Sequence, residues 1–253
     1  MNDWMGDHSP LYSYMEQNHT AQSVSTGHTI YHAVDKDVFT QFCQKYNMRI
    51  SSKNDLFTIY HLIFWLYHQF PSYRREVFCR FHSHNGFEIF EKCRKSYMPN
   101  CACFAIMLND LLISMGFQSK AIWCLSADPN DEECHALNHV WLEGQKQWVV
   151  ADPSSRSVIC DEDGKPLNLL TMRERIYAGK TVYPHRNRSI RQSDAFIAEY
   201  NQYIRKNMYQ FLTHPEQGLH YPLGRTAILI QPEGQPAVQR KKWKCTADIS
   251  YLQ

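Results

Sequence analysis

The sequence predicts an α+β fold, with a helical N-terminal half packed on an antiparallel sheet supplied by the C-terminal half. Three observations carry that prediction. Apolar residues recur at helical spacing from Asp35 to Gly116. From Ser119 onward the pattern changes to short strand-like runs separated by turn residues. Between the two lies NCACFAIMLNDLLISMG, residues 100–116, an apolar helix with a cysteine in its first turn.

Composition bounds the rest. The chain has 253 residues, 43% hydrophobic, enough for one sizeable core. Residues 1–30 are polar and read as an N-terminal arm. Residues 31–253 read as a single domain, with a helical half at 31–116 and a sheet-rich half at 117–253. The 27 basic and 25 acidic residues nearly balance, which points to no nucleic-acid or anionic-membrane partner. The basic run Arg240, Lys241, Lys242 and Lys244 is short and reads as solvated chain. The nine cysteines form no regular framework. Cys43, Cys79 and Cys124 have apolar neighbours and read as buried free thiols, which suits a reducing, cytoplasmic setting. The first residues, MNDWMGDHSPLYSY, lack the basic and apolar regions of a secretion signal. FTIYHLIFWLYHQF, residues 57–70, is too short for a membrane span and carries two histidines, so it reads as a buried helix.

Taken in order, Asp35–Met48 is a helix with Val38, Phe39, Phe42 and Tyr46 on one face. Ser51, Ser52 and Asn54 offer caps for a second helix over Asp55–His68, which Pro71 ends. Arg74–Phe81 and Phe87–Ser96 are shorter helices, the latter introduced by the turn signal Asn85-Gly86. These N-terminal helices would cap the cleft if they packed on the same side of the sheet as the site, a placement the sequence leaves open. Ala105, Leu108, Leu111, Leu112 and Met115 give the central helix its apolar face, and Gly116 stops it. Ser119–Ser126 is the first strand, followed by the charged loop ADPNDEE. A hairpin with strands at Asn138–Leu142 and Trp148–Ala151 comes next. Val158–Cys160 adds a short strand, Leu167–Ile176 a helix, and Asp194–Met208 an outer helix. TAILIQP and RKKWKC supply two further strands, or a strand and an arm.

The chemistry-bearing residues lie on the central helix and the hairpin. Cys101 and Cys103 are two positions apart and point about 200° apart on a helix, so only one faces the hairpin. Cys101 is preferred because a thiol at the helix start meets the positive end of the dipole and free N–H groups, both of which favour thiolate. ECHALNHVWLE places His135 and His139 on one face of a strand, and QWVVADP places Asp152 on its neighbour. Cysteine as nucleophile, histidine as base and aspartate to orient the imidazole make a complete set. Turn position leaves the base open: a turn at Glu143-Gly144 sets residue 135 across from 152, and one at Gln145-Lys146 sets 139 there. Asn138, Trp141 and Asn100 are candidates to border the cleft, and Trp148 reads as core. The Cys101 N–H would serve as one oxyanion donor, with Asn100 and Tyr97 open as sources of a second. Thirteen histidines notwithstanding, no spacing such as H-E-x-x-H points to a metal, and no cofactor is expected.

The run Cys101, Ala105, Leu111, Leu112, Gly116 and Phe117 resembles the core helix of transglutaminase-like proteins, and KAIWCLSA, HALNHVWLE, Trp148 and Asp152-Pro153 follow it in that superfamily's order. It is most similar to a bacterial subgroup with NC…A, ECH…N and W…DP motifs, over roughly Asn85 to Gly179. The resemblance implies a papain-like core, with Cys101 as the nucleophile, His135 rather than His139 as the base and Asp152 as the orienting acid. It also implies acyl transfer from a protein or peptide amide to an amine or water. Two alternatives stand beside it: amide synthesis from a carrier-bound thioester, and a non-catalytic peptide-binding module on the same fold.

Overall fold

The computed structural model describes residues 24–26, 29–49, 54–70, 85–95, 97–186, 192–218, 227–232 and 244–252. Among them are six α-helices: α1 (Lys36–Lys45), α2 (Asp55–His68), α3 (Gly86–Lys95), α4 (Cys101–Ser114), α5 (Leu169–Tyr177) and α6 (Asp194–Lys206). The expected helix at Arg74–Phe81, the cap candidates Ser51 and Ser52, Cys79 and the basic residues 240–242 lie outside the described residues. No helix among the described residues is long and apolar enough to cross a membrane.

Each helix starts on a short polar side chain that accepts from a free first-turn N–H. Asp35, Asn54, Asn100, Asn168 and Ser193 do so for α1, α2, α4, α5 and α6. Asn85 does so for α3, accepting from the Phe87 and Glu88 N–H groups. Each such cap stabilises its helix by about 1 kcal/mol. The stop of α4 is equally local. Gly116 takes φ 88°, and the Gly116 and Phe117 N–H groups return to the Ile113 and Leu112 carbonyls. That closure needs a residue free to enter the left-handed region.

The main sheet has eight strands in the order β11-β10-β8-β3-β4-β5-β6-β7. In chain order these are β3 (Ser119–Leu125), β4 (Cys134–Leu142), β5 (Gln147–Asp152), β6 (Ser157–Cys160), β7 (Tyr183–His185), β8 (Gln210–Thr213), β10 (Ile228–Ile230) and β11 (Lys244–Thr246). All neighbours are antiparallel except β10 and β11, which run parallel, so the sheet is not antiparallel throughout. A second, three-stranded sheet joins β1 (Val24–Thr26), β2 (Thr29–His32) and β9 (Glu216–Gly218), with β2 and β9 parallel. This corrects the expectation of an arm over residues 1–30: Val24–Thr26 and Thr29–Ile30 are strand, and Thr29 is buried. β2 pairs with β9, nearly 190 residues away, and β1 pairs with β2, contacts that local polarity does not announce.

The sheet separates two cores. One face carries Val140, Leu142, Val149, Ala151 and Val158 against α1–α4. The other carries Ile122, Cys124, Leu137, Val150 and Ile159 against α5 and α6. The assignment follows the period of two along each strand. Helix α4 is buried along nearly its whole length, with Leu108 and Leu112 fully enclosed. Helix α3 crosses it so closely at Gly86 that a Cβ there would come within 2.9 Å of the Ile106 carbonyl oxygen. At the same contact the Gly86 N–H donates to Asp110 Oδ2 over 2.7 Å. Burial nevertheless pushes the Asp110 carboxyl up to about 7.

Candidate active site

Cys101 is the first residue of α4, and Asn100 caps that helix by accepting from the Cys103 N–H at 2.9 Å. The cap places Cys101 beside the unsatisfied N–H groups of the first turn. Its thiol is half-buried and donates to the Cys134 carbonyl over 3.8 Å. Cys103, on the far side of the helix, is fully buried in the core. Of the two thiols, only that of Cys101 is partly exposed.

His135 lies on β4 with 5% exposure, and its Nε2 donates to Asp152 Oδ2 over 2.7 Å. The remaining ring nitrogen is Nδ1, and the Cys101 sulfur lies near enough to favour charge on the imidazole, while the thiol's own hydrogen bond goes to the Cys134 carbonyl. Asp152 ends β5 and has no exposure. Its Oδ2 also accepts from the Tyr200 hydroxyl at 3.0 Å. Its Oδ1 accepts from the Ser154 hydroxyl at 2.7 Å and from the Ser154 and Ser155 N–H groups at 3.1 Å each. Burial works against charge on both groups. For Asp152 the His135 charge and hydrogen bond, with the serine donors, prevail and hold the carboxyl down at about 2. For His135 the Asp152 carboxylate and the Cys101 sulfur prevail over burial and raise the imidazole to about 10. The site is built to hold an imidazolium between a buried carboxylate and a thiol.

The backbone explains how Cys101 and His135 meet. Helix α4 packs on the Ala136 face of β4, through Ala102 and Ala105, whereas His135 belongs to the opposite face. Pairing of β4 with β5 runs from Leu142 only as far as Asn138↔Ala151, and Pro153 has no N–H with which to extend it. Beyond that point β4 has a partner only in β3, where Cys124 pairs with His135. The thiol and the imidazole meet at this open strand edge.

The hairpin register is neither of the two expected. Leu142 pairs with Gln147 across a four-residue turn, and one step past Asn138↔Ala151 the register sets Asp152 across from Leu137. Asp152 is thus diagonal to both His135 and His139, and tertiary contacts choose between them. His139 Nδ1 donates to the Leu252 carbonyl over 2.7 Å, and its Nε2 accepts from the Leu169 N–H over 3.2 Å. Both nitrogens are committed, the ring stacks on Trp148 at 4.9 Å, and burial brings the imidazole down to about 3. His139 is a neutral structural tie and not an alternative base.

Two further expectations are corrected. Asn138 is fully buried, and its Nδ2 donates to the Ala105 carbonyl over 2.9 Å, tying β4 to α4 rather than bordering a cleft. Trp141 is six residues from His135 along β4, about 20 Å. There its indole N–H donates to Glu143 and its ring tilts against Trp148. Trp148, read as core, is only half-buried and packs on His139 and Trp141. Asn100 remains at the site as the cap. The N-terminal helices do not cap His135 and Asp152, because α1–α4 pack on the other face of the sheet. Helix α6, expected to be an outer helix, covers them instead. Besides Tyr200, it sets Tyr203 edge-on to His135 with 5.3 Å between ring centroids, and the Tyr203 hydroxyl donates to the Cys134 carbonyl at 3.4 Å. Lys206 anchors the end of α6 to the charged loop, 2.9 Å from Asp131 and 2.5 Å from Glu133.

The sequence reading did not single out Tyr200, Tyr203, Ser154, Ser155 or Trp123. Trp123 packs with Cys101 on the Ala102, Ala105 and Ala136 cluster. A signal existed for the serines, since Asp followed by Pro-Ser-Ser is a sequence in which the carboxylate accepts from N–H groups two and three residues on. No such signal marks the tyrosines, which look like any apolar stripe of an amphipathic helix.

No protein-family model matches the chain, and no curated protein or solved structure matches it either.

Proposed function

We propose that the protein is a cysteine-dependent acyl-transfer enzyme of the transglutaminase-like, papain-like kind, using Cys101, His135 and Asp152. The observation that carries the proposal is the arrangement itself. A half-exposed thiol at a helix start adjoins an imidazole whose far nitrogen donates over 2.7 Å to a fully buried carboxylate. In the first step the proton of the Cys101 thiol is already held on His135 Nδ1, as an imidazolium beside the sulfur, and the thiolate sulfur attacks an amide carbonyl carbon. The tetrahedral oxyanion is placed to receive the Cys101 N–H at the start of α4. Its collapse breaks the C–N bond, and His135 returns its proton to the leaving amine. A water or second amine, deprotonated by His135, then attacks the thioacyl carbon and releases the thiol. Asp152 keeps the imidazole oriented throughout, and its five hydrogen-bond donors keep Asp152 fixed.

The test is to trap the thioacyl enzyme. With p-nitrophenyl acetate, a burst of nitrophenolate and acetylation mapped to Cys101 are expected, both absent in Cys101→Ala. Added hydroxylamine should accelerate turnover if the thioester accepts amines, and leave it unchanged if only water enters. A burst that survives in Cys101→Ala, or acetylation of Cys134 as fast as Cys101, would end the proposal.

A further inference from the structure

We propose that Arg156 and Arg186 form a carboxylate-binding site beside the Cys101–His135–Asp152 cluster, which selects an acidic residue in a peptide acyl donor. The assignment rests on the acyl-transfer reading above and adds a substrate class to it.

The two guanidiniums straddle the turn that leaves Asp152. Arg186 Nε donates to the Ser155 carbonyl at 3.2 Å, and Arg156 is the next residue. Each guanidinium lies over an aromatic ring, Arg156 over Tyr67 at 4.1 Å and Arg186 over Phe196 at 4.6 Å. These rings lead back to the site. Tyr67 stacks on Phe104, in the first turn of α4, at 6.3 Å. Phe196 tilts against Tyr200, the donor to Asp152, at 6.4 Å. These contacts tie the two arginines to the helices that carry Cys101 and Tyr200.

Three observations point to an anion between them. Among the described residues neither arginine pairs with a carboxylate, although six other cationic residues do. The Nε of Arg156 is buried and has no hydrogen-bond partner. Arg156 is also held at φ 62°, in the left-handed region that glycine or asparagine enters with less strain. Asp152 is no counter-ion, since its oxygens are taken by His135, Tyr200, Ser154 and Ser155. Burial, and next the charge on Arg156, disfavour the charge on Arg186. An incoming anion relieves both costs. Guanidinium forks, already oriented by the rings beneath them, match the two oxygens of a carboxylate.

Two peptidyl acrylamides that differ only in Glu or Gln four residues from the warhead test the assignment, read as the second-order rate of Cys101 alkylation by mass spectrometry. The Glu probe is expected to react about 10-fold faster. The Glu/Gln ratio should fall to about one in Arg156→Gln/Arg186→Gln and recover in part in Arg156→Lys/Arg186→Lys. Equal rates for the two probes on the unmodified protein would overturn the assignment. So would inorganic phosphate slowing the Glu probe far more than acetate does at equal ionic strength, which would mark a phosphate site instead. Iodoacetamide labelling of the same protein separates this from failure of the underlying reading. If Cys101 labels faster than Cys134 yet the ratio is one, only the carboxylate site falls. If Cys101 has no such advantage, the acyl-transfer reading falls and this site with it.

Discussion

His135 and His139 stand four residues apart on the same face of the same strand, and the protein treats them in opposite ways. Both are nearly inaccessible, at 5% and 2% exposure. His135 faces a carboxylate and a thiol, and its imidazole is raised to about 10. His139 faces a carbonyl and an N–H, and its imidazole is lowered to about 3. Burial alone would push both down, so the difference lies in the partners. An ionised partner turns a buried histidine into a held cation, and backbone dipoles alone leave it neutral. The first arrangement holds a charge beside the thiol, whereas the second fastens the residues around Leu169 and Leu252 to the sheet.

Exchanging the lesions should give the largest effect. His135→Ala is expected to slow iodoacetamide labelling of Cys101 at pH 7 by about 10²–10³-fold, through loss of the base. His139→Ala should leave that rate within about 2-fold while lowering stability by about 3–5 kcal/mol in urea unfolding. It removes two buried hydrogen bonds and the support under Trp148. The contrast breaks if His139→Ala is the variant that slows labelling.

The pH dependence of stability should separate the two next. The folded value of His135, about 10, lies above the ordinary 6.5. Its contribution is therefore whole below pH 6.5 and is lost as pH rises towards 10. The folded value of His139, about 3, lies below 6.5. Its contribution is whole above pH 6.5 and is lost as pH falls towards 3. Asp152, held at about 2 against an ordinary 3.8, loses its contribution below pH 3.8. Urea midpoints should thus fall on both sides of neutrality. His139→Gln, which does not titrate, should flatten the fall between pH 6.5 and 4 and leave the alkaline limb unchanged. An acid limb of unchanged steepness would show that His139 is not held neutral.

The smallest effect belongs to Tyr200, one of the donors that keep Asp152 in place. Tyr200→Phe removes the 3.0 Å hydrogen bond to Oδ2 and leaves the His135 and serine contacts. A loss of about 1 kcal/mol in stability and a few-fold slower labelling of Cys101 are expected. A drop as large as that of His135→Ala would mean that Tyr200, not the serines, orients the carboxylate.

Much of the scaffold was legible because its causes are local. The helix cap at Asn54, the glycine stop after α4 and the period-two runs of β3, β4 and β5 each depend on residues within a few positions. The strands β1, β2 and β9 were not read as strands, because they are short and held by pairing across the chain. The register of the hairpin escaped for a related reason. Leu142 and Gln147 close a four-residue turn with Lys146 at φ 51°, a conformation that glycine or asparagine would have advertised and lysine does not.

By itself the sequence determined that a cysteine begins a buried helix, that an Asp-Pro ends the neighbouring strand, and that two histidines face the same way between them. Alternation along a strand and capping at a helix start act over one to four residues, so the order of residues suffices for these features. Which histidine meets the carboxylate was decided only by the tertiary structure. Asp152 is diagonal to both, and the choice turns on an N–H 30 residues from His139 and a carbonyl 113 residues from it. Those groups reach His139 only when α5 and the segment Ile249–Leu252 fold back on the sheet, and a hydrogen bond acts over about 3 Å of space whatever the distance along the chain.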